Sequence, residues 1–394
     1  MSQLLTSRWH ETKEALLEGL QGTKKSVMGV TLENTRKYLA ESATAGGTSA
    51  GNVATLNRVI LPVIRRVMPT VIANELLGVQ PMTGPVGQIH TLRVRYSDSV
   101  ASADSGNIVG VTAGEEALSP FKIAEQYSGA NTGKAASTAA LEGVAGKRMS
   151  IQILKQTVEA KTRKLSARWT FEAAQDAQAQ QGIDIEAEIM AALAQEITAE
   201  IDQEILASLN SLAGAAALTY NQAQVSGTAT FVGDEHAALA VQINRVANII
   251  AQRTRRGAGN WAVVSPFTLT ILQSATTSAF ARTTEGTFEA PTNTKFVGTL
   301  NGAMKIYVNT YSQDTAPILI GYKGTSESDA AAFYCPYIPL MSSGVVLDPT
   351  TFEPVVSFMT RYGYVELSNT ASSLGNAADY LGKVAISSAN VKFS

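Results

Sequence analysis

Between Met149 and Asn210 the chain carries a long helical pattern with an apolar residue at every fourth position: Ile185, Ile189, Leu193, Ile197, Ile201, Ile205 and Leu209. Acidic residues fall between them at Glu186, Glu188, Glu196, Glu200, Asp202 and Glu204. A step of four residues advances about 400° around a helix, so the row creeps by about 40° per step. Over six steps it winds about two-thirds of the way round, unlike the straight stripe of a helix lying on one core. The pattern predicts a helix over 183–210, about 40 Å long by its rise per residue. Such a helix touches different partners at its two ends and reads as a strut.

Elsewhere the periodicity is shorter. Residues 1–41 read as polar helix fragments with a short apolar patch at Leu16, Leu17 and Leu20, and 43–51 as a flexible joint. A helix over 53–77 is predicted, kinked at Pro62 and Pro69 and punctuated by Arg58, Arg65 and Arg66. Residues 89–96 and 151–168 read as strands. The stretch between them, 97–147, is nearly all small and polar residues, which fits either a linker or a long hairpin excursion. Residues 234–256 predict a helix with Leu239, Ile243, Val246, Ile249 and Ile250 on its apolar side and Gly257 as its stop. Residues 261–264 form a short buried strand, and Ser265-Pro266 opens the next helix as cap and first residue. Strands are predicted at 305–309, 318–322, 331–334 and 355–363. Mixed elements without strict βαβ spacing place the chain in the α+β class.

Composition narrows the picture. The 394 residues are 45% hydrophobic and 16% charged, enough for one large or two medium cores, with a formal net charge of −2. That near-neutral balance implies no general attraction to nucleic acid or acidic membranes. The single cysteine, Cys335, excludes an intramolecular disulfide framework and suits a reducing cytosol; its apolar surroundings predict a buried, inert thiol. No run approaches the ~18 apolar residues of a membrane span. The first turns, with Arg8, His10, Glu11, Lys13 and Glu14, do not resemble a signal peptide.

The residues leading into the strut have a familiar order: Val158-Glu159-Ala160-Lys161-Thr162-Arg163-Lys164-Leu165, then Glu172-Ala173-Ala174-Gln175-Asp176, then Gly182-Ile183-Asp184. Gly78-Val79-Gln80-Pro81-Met82 comes earlier, followed by Pro85, Gly87 and Leu92-Arg93-Val94-Arg95-Tyr96. Later come Thr254-Arg255-Arg256-Gly257 with Asn260 and Val263-Val264-Ser265, then Gly321-Tyr322-Lys323-Gly324, Tyr334-Cys335-Pro336-Tyr337 and Thr360-Arg361-Tyr362-Gly363. Together, over most of 56–366, they resemble the T-even-like tailed-phage major capsid proteins.

The resemblance implies the Hong Kong 97-type capsid fold. It divides the chain into an N-terminal arm (1–88, with 1–41 a candidate propeptide), an extended β-hairpin loop (89–150) lapping a neighbouring subunit, and a peripheral domain (151–211) holding the spine helix. An axial domain (212–345) follows, and 346–394 return to the peripheral domain and end as a tail. Implied partners are further copies of the chain, as hexamers with pentamers left open, the portal, scaffold, vertex or decoration proteins, and non-specifically packaged double-stranded DNA. No membrane and no cofactor is implied, and the expected location is the virion capsid after assembly in the host cytoplasm. Family members are commonly trimmed by a protease preferring an apolar residue, any residue, then Glu. Leu39-Ala40-Glu41 before Ser42 fits that preference, so Glu41–Ser42 is the candidate cleaved bond.

Candidate chemistry is sparse. His10, His90 and His236 lie far apart without ligand spacing, and no metal site is expected. Ser265 with Asp234 and His236 could be cast as a hydrolase set, but no GxSxG elbow surrounds the serine. The acidic residues of the strut lack the Glu-x-x-His pairing of a carboxylate metal site and read as a solvated or intersubunit face. Arg253, Arg255 and Arg256 suit a helix C-terminus, with carboxylate pairing across subunits as the alternative. The reading is therefore a non-enzymatic shell subunit of a phage head, with Ile185, Ile189, Leu193, Ile197, Ile201 and Ile205 as its assembly helix. A shell protein of an encapsulin-like nanocompartment is the alternative.

Overall fold

A computed structural model describes residues 9, 13, 14, 16, 17, 22, 25–34, 71–102, 110–115, 117, 127–129, 134–181, 185–222, 232–254, 256–275, 280–282, 295–327, 329–351, 353–367, 377–387 and 391. The helix expected over 53–77, with its arginines and prolines, lies outside these residues except for a short helix at Ala73–Leu76.

The described strands are, in chain order, β1 (Gly78–Val79), β2 (Val86–Tyr96), β3 (Met149–Glu159), β4 (Lys161–Arg168), β5 (Leu218–Tyr220), β6 (Trp261–Val264) and β7 (Phe280–Arg282). They continue with β8 (Lys295–Leu300), β9 (Met304–Val308), β10 (Ile318–Gly321), β11 (Ala332–Ser342), β12 (Val346–Leu347), β13 (Pro354–Glu366) and β14 (Leu381–Ile386). The chain divides into two compact units. One gathers Met1–Gly87, Thr157–Ser208 and Ala332–Val365; the other gathers Gln88–Gln156, Leu209–Ala331 and Glu366–Ser394.

In the first unit the strand order is β1-β11-β13-β12, with β4 also antiparallel to β13. Alternation along β13 buries Val356, Phe358, Thr360 and Tyr362 on one face. Gly363 follows because a Cβ there would lie 2.5 Å from Val158 Cγ2. Strand β11 runs on through Pro336 and Pro339 to Ser342, well past the expected end at 334. A proline lacks an N–H but keeps its carbonyl, and Pro336 O still accepts from Met82 N at 3.0 Å. Cys335 in this strand is 1% exposed, and burial pushes its thiol up to about 11.

The second unit holds a sheet of order β5-β14-β10-β6-β9-β8-β7. Its β6–β9 and β5–β14 pairs are parallel and the others antiparallel, so the fold is α+β. Helix Val232–Thr254 contributes Leu239, Ile243, Val246 and Ile250 to the core with Ile306, Ile318, Ile320 and Val384. A Cβ at Gly321 would sit 2.1 Å from the ring of Trp261, its cross-strand partner, so that motif glycine makes room for the indole.

The single strand expected over 151–168 is two. Strand β3 pairs with β2 in a two-stranded ribbon, Ala160 breaks the run with its N–H on Pro85 O, and β4 pairs with β13. The described residues of 97–147 do not behave as a linker. Tyr96, Val100, Val111, Ala117 and Tyr127 form a small buried cluster of their own. Tyr127 donates to Arg148 O, and Asp98 accepts from the Arg148 N–H at 2.8 Å. Strand β14, within the segment expected to rejoin the peripheral domain, pairs with β5 and β10 in the second unit's sheet. Among the described residues no helix is long and apolar enough to cross a membrane.

Candidate functional site

The strut is one continuous helix, Ile185–Leu212. Burial deepens along the predicted row: Ile185 and Ile189 are half-buried, whereas Leu193, Ile197, Ile201, Ile205 and Leu209 are buried. A second row, Met190, Ala194, Thr198, Asp202 and Leu206, is buried beside it. The two rows creep together, so the buried band winds around the helix.

This second row corrects one expectation. The sequence pattern puts Asp202 on a solvated or intersubunit acidic face, yet it is 2% exposed, and its Oδ1 accepts the backbone N–H of Ile72 at 2.9 Å. Burial pushes its carboxyl up to about 7, while the Ile72 N–H pulls it down. Glu188, Glu196, Glu200 and Glu204 are exposed, as expected of that face.

Glu200 and Glu204 are nevertheless engaged. In register, β4 sets Arg163 opposite Thr360 of β13, and alternation puts Arg163 on the half-buried face of β4. Its guanidinium forks to Glu200 Oε2 at 2.6 Å and Glu204 Oε2 at 2.5 Å, and its Nε donates to Tyr362 Oη at 2.7 Å. The Tyr362 hydroxyl in turn donates to Glu204. Residues four apart on a helix share a face, which is why one planar fork reaches both glutamates. Burial alone would raise the Glu204 carboxyl, but the bonds from Arg163 and Tyr362 outweigh it and hold it below its ordinary value. Arg163 and Tyr362 both lay inside the family-like motifs, but nothing in their spacing indicated that they meet.

Ser265, His236 and Arg256 have partners within their own unit. Ser265 caps helix Pro266–Ser274: its Oγ accepts from Thr268 N at 3.2 Å and lies 3.0 Å from Thr268 Oγ1. His236 is fully buried with Nδ1 2.5 Å from Ser274 Oγ, and Asp234 is exposed in the first turn of its helix. His90 is exposed; His10 lies outside the described residues. Arg256 pairs with Asp329 of the same chain at 2.6 Å, Arg253 is half-buried in the last helical turn, and Arg255, Glu41 and Ser42 lie outside the described residues. Among the described residues no group of three His, Cys, Asp or Glu side chains could hold a metal. The arrangement is a long helix braced by Arg163 of β4 and Tyr362 of β13.

The family described as major capsid protein Gp23 matches residues 53–386. The chain is 30% identical over 420 residues to the major capsid protein of Vibrio phage KVP40, covering 85% of this chain and 81% of that protein. It is 30% identical over 411 residues to the major capsid protein of Enterobacteria phage T4, covering 83% and 78%. Among solved structures it is similar to a chain of the capsid of Myoviridae phage XM1, at 11% identity and a TM-score of 0.44 over 80% of this chain and 91% of that one.

Proposed function

This chain belongs to the major capsid protein Gp23 family of tailed phages, and from that premise we propose how it builds a shell. Subunits associate as hexamers, with pentamers at the vertices as a further option, into an icosahedral head that encloses double-stranded DNA. The portal and scaffold are partners in assembly, which takes place in the host cytoplasm. The architecture is the Hong Kong 97-type, with 1–88 as arm, 89–150 as extended loop, 151–211 as peripheral domain, 212–345 as axial domain and 346–394 as the return and tail, of which β14 joins the axial sheet beside β5 and β10.

The observation that carries this reading beyond family membership is the β2–β3 ribbon. Met149, Ile151 and Ile153, on one face of β3, are 52%, 69% and 66% exposed. Apolar side chains repeated at that spacing on one sheet face suit a surface that another subunit covers. Each such contact is modest, and closed symmetry repeats it around the shell. The formal net charge of −2 suits a container that does not grip its DNA. Negative-stain microscopy of the purified protein tests the proposal. Shells, tubes or hexagonal sheets are the expected result, and a persistently monomeric protein with a saturable activity would overturn it. Small DNA-free cages would point instead to a nanocompartment.

A further inference from the structure

The β8–β9 hairpin carries a chemically labile pair at its tip. Asn301-Gly302 is the one Asn-Gly step in the sequence, and it lies in the connection between Leu300 and Met304, which pair across the ladder. Leu300 and Met304 are 1% and 3% exposed and belong to the second unit's core, whereas Asn301, Gly302 and Ala303 are exposed. Both tip residues are left-handed, with φ 53° at Asn301 and 68° at Gly302. Asparagine and glycine adopt this region most readily, so the turn itself selects the pair.

That selection has a chemical consequence. A bond from the Gly302 nitrogen to Asn301 Cγ would close a five-membered ring. Two things ordinarily oppose it: a side chain on the following residue, and hydrogen bonds that hold the amide and the N–H. Gly302 has no side chain, and even a Cβ there would meet nothing within 4 Å. The turn is closed by Ala303 N on Leu300 O at 3.3 Å, and no described residue bonds to the Asn301 amide or the Gly302 N–H. Asn260 is the contrast. Its Nδ2 donates to Lys323 O at 2.5 Å, its Oδ1 accepts from Lys323 N at 3.0 Å, and Trp261 follows it into β6.

We propose that Asn301 is a site of spontaneous deamidation on this chain. The Gly302 nitrogen gives its proton to a base in solvent and bonds to Asn301 Cγ. The Cγ–Nδ2 bond breaks, and ammonia leaves with a proton from water. One water then opens the succinimide. Opening between Cγ and the ring nitrogen yields aspartate; opening between the Asn301 carbonyl carbon and that nitrogen yields isoaspartate, with the main chain rerouted through the side chain. Asparagine and water thus become aspartate or isoaspartate and ammonia, and nothing is oxidised or reduced. Each conversion takes the formal net charge of −2 one unit further negative. Buried Leu300 and Met304 anchor both strands, so the change is confined to the exposed tip.

The test incubates the purified full-length protein at pH 9 and at pH 6, with brief tryptic digestion, mass spectrometry and unincubated protein as the zero point. The peptide 296–305 is expected to gain about 1 Da and to resolve into two forms, one of them methylated by an isoaspartyl methyltransferase. Because the attacking nitrogen must lose its proton, the gain should be at least about tenfold faster at pH 9. Asn301→Gln, which would have to close a six-membered ring, should abolish it. A wild-type peptide that keeps its mass at pH 9 would overturn the proposal whatever the variant does. So would an asparagine elsewhere that converts first, or an equal gain in Asn301→Gln.

Discussion

Asp202, on the buried face of the strut, accepts the Ile72 backbone N–H at 2.9 Å and thereby ties the chain entering β1 to the middle of the helix. The bond favours the ionised carboxylate, and burial disfavours it more strongly, so the group protonates near neutrality.

That balance gives a pH dependence with a definite sign. The folded value, about 7, lies above the ordinary aspartate value of 3.8, so the folded state holds the proton more tightly. The stabilisation is fully present below the unfolded value and is lost as pH rises through about 7. Asp202→Asn keeps an oxygen for Ile72 and removes the charge. The two proteins should agree only below about pH 4, and the variant's advantage should widen by roughly 3 kcal/mol between pH 5 and pH 8, in denaturant unfolding followed across that range. Parallel pH profiles for the two proteins would show that Asp202 does not titrate in the folded state.

The Arg163 fork is half-open to solvent, so its contribution is screened. Arg163→Ala should lower stability by about 1 kcal/mol, more than one simple surface pair because the guanidinium serves three oxygens. Arg163→Lys, with a single ammonium, should recover less than half of that loss. Tyr362→Phe combined with Arg163→Ala should cost less than the sum of the single changes, since both bind Glu204. Strict additivity in urea melts would mean the three side chains act independently.

Assembly and folding are separable at β3. Glutamate at both Ile151 and Ile153 places charge on side chains that are already exposed, so the subunit's own stability should change by less than about 0.5 kcal/mol. If a neighbour covers this face, the same double variant should remain a soluble, folded subunit that forms no closed shells. Normal particles by negative-stain microscopy would remove the ribbon from the interface.

Cleavage after Glu41 has its own readout. The subunit from infectious virions, denatured and weighed intact, should give the mass of residues 42–394. A single mass for 1–394 would make the first 41 residues a permanent arm.

The sequence alone determined whatever depends on neighbours close along the chain. Four-residue spacing defined the helix that runs from Ile185 to Leu212, and its first residue differs from expectation by only two. The Ser265-Pro266 pair announced a cap whose serine accepts from Thr268, and 261–264 proved to be the whole of β6. The order of short motifs identified the family, because those residues keep local shapes: Gly321 leaves room for Trp261, and Gly363 for Val158.

Tertiary structure decided which distant residues meet. Arg163 finds Glu200, Glu204 and Tyr362 only once β4 pairs with β13 against the strut, and Asn34 finds Tyr337 across 303 positions of sequence. Asp202 looked like its exposed acidic neighbours because a period of four captures one row of the buried band and misses the row beside it. The prolines of β11 disguised a long strand, since sequence patterns register the missing N–H and not the carbonyl that still pairs. Periodicity reports the face a residue occupies, and only the closed fold supplies the partner that turns that face into core, brace or interface.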